Sequence, residues 1–291
     1  MRLTKPRQMA PGRHPGLVAR VTQPDGQANI GRARVRLPLS LALDPFNTRK
    51  VCGYEAGLRA DCPPATRIGS ATAVSPALNE PLGGPVYLVQ GIRIHPVTGA
   101  RIRTLPSLLA KLSGEVRINV RGTTDVEKLR LVSTFERVPD APVSRFVLRI
   151  AGGRRGILAV TGRRRGICQR RRASDVRLTG QNGKQAISKV RMAAPCRPPA
   201  LRIRRTRASG GSLVVRGTVA RRARKRVRVQ LRCGGTRVTK AAKRPRPGRW
   251  TATLTRRGAC AGPGRARLRA AYPGGGDFKP AVRRRRVVLP S

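Results

Sequence analysis

Apolar and polar residues alternate along most of this chain, and this period-two pattern is the feature that most restricts its fold. Val116, Ile118 and Val120 alternate with charged or amide side chains, and Leu129 and Leu131 share one face of the next predicted strand. Successive side chains of a β-strand point to opposite faces, so the alternation predicts half-buried antiparallel strands.

Proline and glycine set the length of these strands. The chain contains 24 Pro and 32 Gly, which recur about every ten residues and favour many short strands over long helices. The only helical candidate is the segment 107–112, which is too short to be stable by itself. The sequence therefore predicts an all-β protein.

An Arg-Pro-Pro-Ala connector follows Cys196 and marks a domain boundary. A second series of predicted strands follows it, with the length of an immunoglobulin-like sandwich and with Trp250 as a core residue. We predict a flexible tail over residues 1–16, a β-rich module over 17–198 and an immunoglobulin-like sandwich over 199–291. The expected fold is two antiparallel β-sandwich-like domains.

Six cysteines fall into three sequential pairs, Cys52 with Cys62, Cys168 with Cys196, and Cys233 with Cys260. No CxxC motif occurs and both histidines lie far from the cysteines, so the spacing does not fit a zinc site. We expect three nearest-neighbour disulfides, with Cys233 on an inward strand face that suits a cross-sheet bridge. Disulfides persist in oxidising compartments, which indicates export. The alternative is buried free thiols in a cytosolic protein.

Residues 1–16 contain no apolar segment and no small-residue cleavage site, so no signal peptide is visible. We expect that the start is truncated or mis-assigned, and that the protein is extracellular or belongs to the cell envelope. No stretch approaches the roughly 20 apolar residues that cross a bilayer, which argues against an integral membrane protein.

Basic residues dominate the charge. The chain has 64 Lys and Arg against 12 Asp and Glu, a formal charge of +52, and residues 199–291 hold 28 basic residues against one acid, Asp277. Arginine stays protonated at physiological pH, and such a field attracts polyanions. Candidate partners are anionic cell-envelope polymers and nucleic acid. Codon bias in a GC-rich genome explains the same composition without a partner, and composition alone favours that explanation.

Two basic clusters are the candidates for polyanion contact: Arg221, Arg222, Arg224, Lys225 and Arg226 in the first, and Arg283, Arg284, Arg285 and Arg286 in the second. Aromatic residues make up 3% of the chain, too few for a base-stacking platform, and no zinc-finger or helix-turn-helix pattern occurs. Binding to nucleic acid would therefore be sequence-nonspecific. Exposed strand ends without a function show the same residues.

No catalytic or metal-binding motif is present. The sequence lacks GxSxG, HExxH and P-loop patterns. His14 falls in the predicted tail and His95 at the end of a strand, and Glu127 and Glu136 are flanked by basic residues that their charges compensate. We predict that the chain is not an enzyme and has no cofactor, metal or small-molecule substrate.

Three segments of the second domain resemble bacterial immunoglobulin-like repeat domains of surface proteins: LVVRGTV at 213–219, GRWTATL at 248–254 and LRAAYPGGGDFKPA at 268–281. Tyr272, Pro273, Gly274, Asp277 and Phe278 match the closing hairpin of those domains. The resemblance covers about residues 199–291. It implies an immunoglobulin-like sandwich at the cell surface.

Residues 30–197 resemble a β-rich module of uncharacterised exported proteins from high-GC bacteria. The segments that carry the resemblance are LPLSLALDP at 37–45, CPPATRIGSATAVSP at 62–76, PLGGPVYLV at 81–89, FERVPDAPVSRFVLRIAGGRRG at 135–156 and LTGQNGK at 178–184. The resemblance implies an all-β, disulfide-bearing, exported module and supplies no catalytic residue.

These observations predict a non-enzymatic surface or cell-wall-associated protein with a binding or spacer role, in contact with anionic envelope polymers. The alternative is a cytoplasmic, sequence-nonspecific nucleic-acid-binding protein, which the missing signal peptide and the sequence pI of about 12.0 favour.

Overall fold

The computed structural model describes residues 1–24, 26–48, 50–162, 166–169, 172–209 and 211–291. The chain divides into two units: unit 1 is Met1–Arg163 with Arg170–Pro195, and unit 2 is Arg164–Gln169 with Cys196–Ser291. Antiparallel sheets account for most of the regular structure in both, which confirms the predicted all-β, sandwich-like fold. The domain boundary between residues 198 and 199 remains a prediction.

Unit 1 is built on one large sheet. Its strands are β1 Arg2–Thr4, β2 Gly16–Thr22, β3 Ile30–Arg36, β4 Leu41–Leu43, β5 Arg67–Val74, β6 Leu82–Ile94, β7 Arg101–Leu112, β8 Ile118–Glu127, β9 Arg130–Phe135, β10 Arg145–Ile150, β11 Leu158–Val160, β12 Ala173–Gly180 and β13 Gln185–Arg191. Eleven of them follow the order β1-β2-β10-β5-β6-β7-β8-β9-β3-β12-β13, and β4 pairs with β11. A five-residue α-helix, α1, spans Tyr54–Leu58, and 3₁₀ turns span Pro6–Gln8 and Pro64–Thr66.

The two ends of the large sheet are joined through the first residues of the chain. The Leu3 amide donates to the Ala193 carbonyl at 2.8 Å, just beyond β13, while β1 pairs with β2 on its other side. Leu3 and Met9 are buried. The sequence predicted a flexible tail over residues 1–16, and the structure differs because these two apolar side chains anchor the segment in the unit.

The predicted helical segment 107–112 is instead part of β7. It pairs with β6 on one side and β8 on the other, and Leu109 and Leu112 are buried. The helical candidate is therefore a strand, because pairing on both sides outweighs the local helix propensity of Leu and Ala. The sequence did not predict α1.

Strand register also differs at the β8–β9 hairpin. Leu129 lies in the turn between the strands with φ of 61° and is 85% exposed, whereas Leu131 is buried. Val116 precedes β8 and is exposed as well. The expected placement of Leu129 beside Leu131 on one face is wrong, because Lys128 and Leu129 form the two-residue turn that sets the register.

Unit 2 is a two-sheet sandwich. Its strands are β14 Arg202–Ser209, β15 Ser212–Thr218, β16 Arg228–Cys233, β17 Thr236–Ala241, β18 Arg249–Thr255, β19 Gly264–Tyr272 and β20 Ala281–Leu289, with 3₁₀ turns at Ile167–Gln169 and Gly258–Cys260. One sheet has the order β14-β15-β18 and the other β17-β16-β19-β20. Sheets of three and four antiparallel strands are typical of an immunoglobulin-like sandwich. The alternating pattern predicts strands at 201–205, 213–219, 227–233, 250–255, 267–272 and 283–289, which correspond to six of these strands, and it misses β17.

The core of unit 2 contains side chains from both sheets, with Leu213 and Trp250 from one and Leu231 and Leu268 from the other. Trp250 is 1% exposed, as expected, and its Nε1 donates to the Thr218 carbonyl at 3.1 Å. The indole packs closely against Gly217, where a Cβ atom would lie 2.2 Å from Cζ2 of the ring. Glycine is therefore required at this position of β15.

Residues 166–169 belong to unit 2 although they precede β12 in the sequence. Cys168 is bonded to Cys196, and Gln169 Nε2 donates to the Phe278 carbonyl at 2.7 Å. The Arg197 amide donates to the Asp277 carbonyl at 2.8 Å in the same region. The sequence placed both cysteines of this predicted disulfide in the first module, because the hydrogen bonds to residues 277 and 278 are not visible in strand periodicity.

Candidate anion-binding surface

The outer face of the four-stranded sheet of unit 2 carries regularly spaced arginines. In β19 the side chains of Leu268 and Ala270 are fully buried, whereas Arg267 and Arg269 are exposed. The same alternation occurs in β16, where Leu231 is fully buried. Because the apolar residues face the core, the basic residues between them face solvent.

Four arginines form one row across all four strands. The strand register places Arg232 opposite both Arg237 on β17 and Arg267 on β19, and it places Arg267 opposite Arg286 on β20. All four residues are exposed. Neighbouring strands lie about 4.8 Å apart, so the row spans roughly 14 Å.

A second row runs beside the first. Arg269 and Arg284 lie opposite each other, and Gln230 and Thr239 complete the row on β16 and β17. Gln230 Nε2 donates to Thr239 Oγ1 at 3.2 Å. The two rows are about 7 Å apart, because residues on one face are two positions apart along each strand. We call the arginines of the two rows the arginine face: Arg232, Arg237, Arg267, Arg269, Arg284 and Arg286.

The charge of the arginine face is not neutralised within the described part of the chain. None of its six side chains forms an ion pair there, and one forms a hydrogen bond, from Arg232 Nε to the Gly234 carbonyl at 3.5 Å. Asp277, the one acid among residues 199–291, lies in the turn before β20. The face therefore presents guanidinium groups to solvent.

The predicted cluster at residues 283–286 is divided by the strand geometry. Arg284 and Arg286 belong to the arginine face, whereas Arg283 and Arg285 point towards the other sheet. Arg283 Nε donates to the Leu201 carbonyl at 3.1 Å and Arg285 Nη1 to the Arg204 carbonyl at 3.4 Å. These two side chains cover carbonyl groups at the β14 edge of the three-stranded sheet.

The other predicted cluster lies in the loop between β15 and β16. Arg221, Arg222, Arg224, Lys225 and Arg226 are all exposed. Ala223, in their midst, is fully buried, and its carbonyl accepts a hydrogen bond from Arg244. The loop is thus fixed at its centre while its basic side chains reach solvent.

Four members of the arginine face were missed by sequence reasoning, which searched for consecutive basic residues. Arg232, Arg237, Arg267 and Arg269 are separated in the sequence by apolar residues, and only the strand register brings them together. The alternation itself was the available signal, because it places every second residue of adjacent strands on one face.

The cysteines form the three pairs that the sequence predicted: Cys52 with Cys62, Cys168 with Cys196, and Cys233 with Cys260. Cys233 is buried at the end of β16, but Cys260 lies in the 3₁₀ turn between β18 and β19. The third disulfide therefore joins a strand to a turn, and the expected cross-sheet bridge between strands is wrong.

Carboxylates of unit 1 are paired with arginines. Asp175 Oδ2 accepts hydrogen bonds from Arg36 Nη2 at 2.8 Å and from Arg130 Nη1 at 2.6 Å. The hydrogen bond from Arg36 lowers the pKa of Asp175, burial opposes this effect, and Arg130 lowers the pKa further. Arg32 pairs with Glu136 at 2.9 Å, and Arg34 pairs with Glu127.

His14, expected in a mobile tail, is held by Asp44 with 2.5 Å between Nε2 and Oδ2. Burial alone would raise the pKa of Asp44, but the hydrogen bonds from His14 and from the Phe46 and Asn47 amides outweigh burial and lower it. The pair connects the segment before β2 to the segment after β4.

Unit 1 also has a surface cavity of about 440 Å³ beside α1, lined by residues that include Tyr54, Gln90 and Arg103. Its carboxylate, Glu55, is paired with Arg101 at 2.9 Å. Across the described ranges, no group of three or more His, Cys, Asp or Glu side chains is arranged to hold a metal ion. In the same residues, no helix has the length and apolar character needed to cross a bilayer.

No protein-family model matches this chain, and no curated protein matches it. Among solved structures, the chain is similar to BcpA, the major pilin subunit of Bacillus cereus, with 10% sequence identity and a TM-score of 0.27. The match covers 97% of this chain and 62% of the pilin chain, so this chain spans less than two thirds of that protein. A TM-score of this size does not establish a common fold.

Proposed function

We propose that this chain is an exported, non-enzymatic protein of the cell surface or wall, with a binding or spacer role in contact with anionic envelope polymers. The observation that carries the proposal is the pairing of all six cysteines into three disulfides. Stable structural disulfides are rare in reducing cytosol and common in exported proteins. Membership of the immunoglobulin-like repeat domains and of the exported β-rich module is part of the same proposal.

The non-enzymatic role is supported by how the acidic groups are used. Asp175, Glu127 and Glu136 pair with arginines, and Glu55 beside the cavity does the same. A carboxylate that accepts hydrogen bonds from a guanidinium has fewer oxygen lone pairs left to receive a proton from a substrate.

Contact with anionic polymers is supported by the positive charge of unit 2 and by the solvent exposure of its basic side chains. We propose as contact residues the exposed loop Arg221, Arg222, Arg224, Lys225 and Arg226 together with Arg284 and Arg286 of the run 283–286, since Arg283 and Arg285 cover backbone carbonyls instead. Guanidinium groups bind phosphate and carboxylate oxygens through paired hydrogen bonds.

The proposal is tested by the redox state of the cysteines in the cells that make the protein. Intact cells are treated with a membrane-permeant thiol reagent, and the modified cysteines are counted by mass spectrometry before and after reduction. We expect no modification before reduction and six modified cysteines after it. Six thiols that react without reduction, in a protein that sediments with nucleic acid, would overturn export and favour the cytoplasmic alternative.

A further inference from the structure

The geometry of unit 2 points to a specific ligand for the arginine face, and we infer that this face binds a linear phosphodiester polymer that carries no nucleobases. The inference deepens the proposed function, on which it rests for the compartment in which such a polymer occurs. It moves the main contact from runs of basic residues in the sequence to two rows of arginines across four strands.

Arginines lie opposite each other along the first row, and their mutual repulsion lowers the stability of the unliganded protein. Arg232 lies between Arg237 and Arg267, and Arg286 follows. Like charges directly opposite each other destabilise a sheet, by roughly 0.2 to 1 kcal/mol for each pair. Their spacing of about 5 Å is shorter than the Debye length of about 8 Å at physiological ionic strength, so salt screens the repulsion only in part. A bound anion would remove it.

The arginines of strand β3 are neutralised by carboxylates of the same chain. Along β3, Arg32 pairs with Glu136, Arg34 with Glu127 and Arg36 with Asp175. Codon bias explains why strand positions hold arginine in both units. It does not explain why carboxylates accompany the arginines of β3 and are absent from the arginine face.

The other outer face of unit 2 provides a second contrast. On the three-stranded sheet, Arg202 and Arg249 are separated by Thr218 in their row, and Arg207 lies opposite Val214. Arg205 and Arg216 lie opposite each other on this face, but Thr251 ends their row, whereas Arg202, Arg207 and Arg249 lie opposite threonine or valine. A continuous row of four arginines is thus a property of one face of unit 2, not of its exposed positions in general.

Phosphodiester groups fit this arrangement. Each carries one negative charge on two non-bridging oxygens, which can accept hydrogen bonds from two guanidinium groups about 5 Å apart on adjacent strands. A flexible chain with repeated phosphodiesters can contact several such pairs in succession. The effective concentration of its second and later groups then raises the overall affinity.

The absence of stacking groups excludes bases from the recognition. The residues that share the two rows with the arginines are Gln230 and Thr239, and the flanking positions on the edge strand β20 are Val282 and Val288. Single-stranded nucleic acids gain much of their affinity from bases stacked on aromatic side chains. No aromatic residue lies on this face, so the face offers contacts to a phosphodiester backbone and none to bases.

The test compares two triple variants of the full chain that remove equal charge from unit 2. Arg232→Gln/Arg267→Gln/Arg286→Gln removes three residues of the first row, and Arg202→Gln/Arg207→Gln/Arg249→Gln removes three exposed arginines that do not oppose another arginine. The probe is a synthetic poly(glycerol phosphate) chain, titrated at several salt concentrations and monitored by calorimetry. Thermal unfolding of each variant establishes that it is folded.

We expect the first variant to bind the probe at least tenfold more weakly than the unaltered chain, with a salt slope smaller by about 2, because three phosphate contacts are lost. The control should lose less than threefold. Equal losses in both variants would mean binding to the general positive field and would overturn the inference. If the chain binds a single-stranded DNA of equal charge more tightly than the probe, the inference that the ligand carries no nucleobases would be overturned.

A third variant, Arg232→Lys/Arg267→Lys/Arg286→Lys, keeps the charge and removes the guanidinium geometry. We expect it to bind more weakly than the unaltered chain and more tightly than the glutamine variant. Affinity equal to that of the unaltered chain would show that charge alone suffices and would contradict bridging by paired hydrogen bonds. These binding results do not depend on the redox state of the cysteines in cells. Failure of the inference about the arginine face can therefore be distinguished from failure of the proposal that the protein is exported.

Discussion

Arg232 of β16 lies directly opposite Arg267 of β19 on an exposed sheet face, and neither forms an ion pair with a described residue. Elsewhere in the described chain, six ion pairs join basic residues to acids of unit 1, including Asp44, Glu127 and Asp175. The pair Arg232 and Arg267 is therefore a place where the fold retains electrostatic repulsion. An external anion that binds between the two guanidinium groups would relieve this repulsion, which adds to the free energy of binding.

Relief of this repulsion should stabilise the free protein. Arg267 faces Arg232 on one side and Arg286 on the other, so Arg267→Gln removes two repulsive pairs. We expect the free energy of unfolding to rise by about 0.5 to 2 kcal/mol at low salt, and the gain to shrink in high salt. Thermal unfolding at both salt concentrations measures this. Arg207→Gln is the control, and an equal gain there would contradict the account.

Neighbouring arginines of β20 should have opposite phenotypes. Arg284 faces solvent opposite Arg269, whereas Arg283 donates to the Leu201 carbonyl. Arg284→Gln should weaken binding of poly(glycerol phosphate) without loss of stability. Arg283→Gln should leave binding nearly unchanged and lower the free energy of unfolding by about 1 kcal/mol, the usual contribution of one hydrogen bond. Calorimetric titration and denaturant unfolding separate the two effects, and identical behaviour of the two variants would contradict the assignment.

Gly217 should tolerate no side chain. A Cβ atom there would lie 2.2 Å from the Trp250 ring and 2.3 Å from the Arg202 carbonyl oxygen. Because the backbone oxygen cannot move away easily, we expect Gly217→Ala to lower the free energy of unfolding by about 1 to 3 kcal/mol. Gly235→Ala, where no heavy atom lies within 4 Å of the new Cβ, should change it by less than about 0.5 kcal/mol. Tryptophan fluorescence during urea unfolding reports both values.

The ion pairs of Asp175 predict a pH dependence for unit 1. Its pKa is below the ordinary 3.8 in the folded chain, chiefly because of the hydrogen bond from Arg36. A lowered folded-state pKa contributes stability that is fully present above about pH 4 and is lost as the pH falls through the folded value. Asp175→Asn should therefore cost about 1 to 2 kcal/mol at pH 7 and progressively less below pH 4. A cost that stays constant down to pH 2 would contradict this assignment.

Strand alternation predicted much of the fold but not the elements defined by distant partners. The segments around Leu231 and Leu268 alternate strictly and were assigned as strands, because one face of each meets the core. The segment 107–112 was a helical candidate because its pairing with β6 and β8 cannot be read from the local sequence pattern. Leu3 was placed in a tail for the same reason, since it pairs with β2 and its amide donates to the carbonyl of the distant Ala193.

The sequence predicted that the candidate surface is rich in arginine, but it did not predict how these arginines are arranged on the sheet. Consecutive basic residues such as Arg283 and Arg284 are easily recognised in a sequence, but their side chains point to opposite faces of the strand. Residues as far apart as Arg237 and Arg286 form one row because β16 and β19 lie between their strands. Strand order and register, which set this row, depend on non-local pairing that one sequence does not reveal.

The most direct measurement of the central claim is a map of the bound polymer on the full chain. Nε–Hε resonances of arginine are assigned by NMR and followed while poly(glycerol phosphate) is added. We predict that the resonances of Arg232, Arg267 and Arg286 shift first and saturate together, while those of Arg202 and Arg249 on the other outer face change little. Shifts of equal size and midpoint on both faces would contradict a built anion-binding surface.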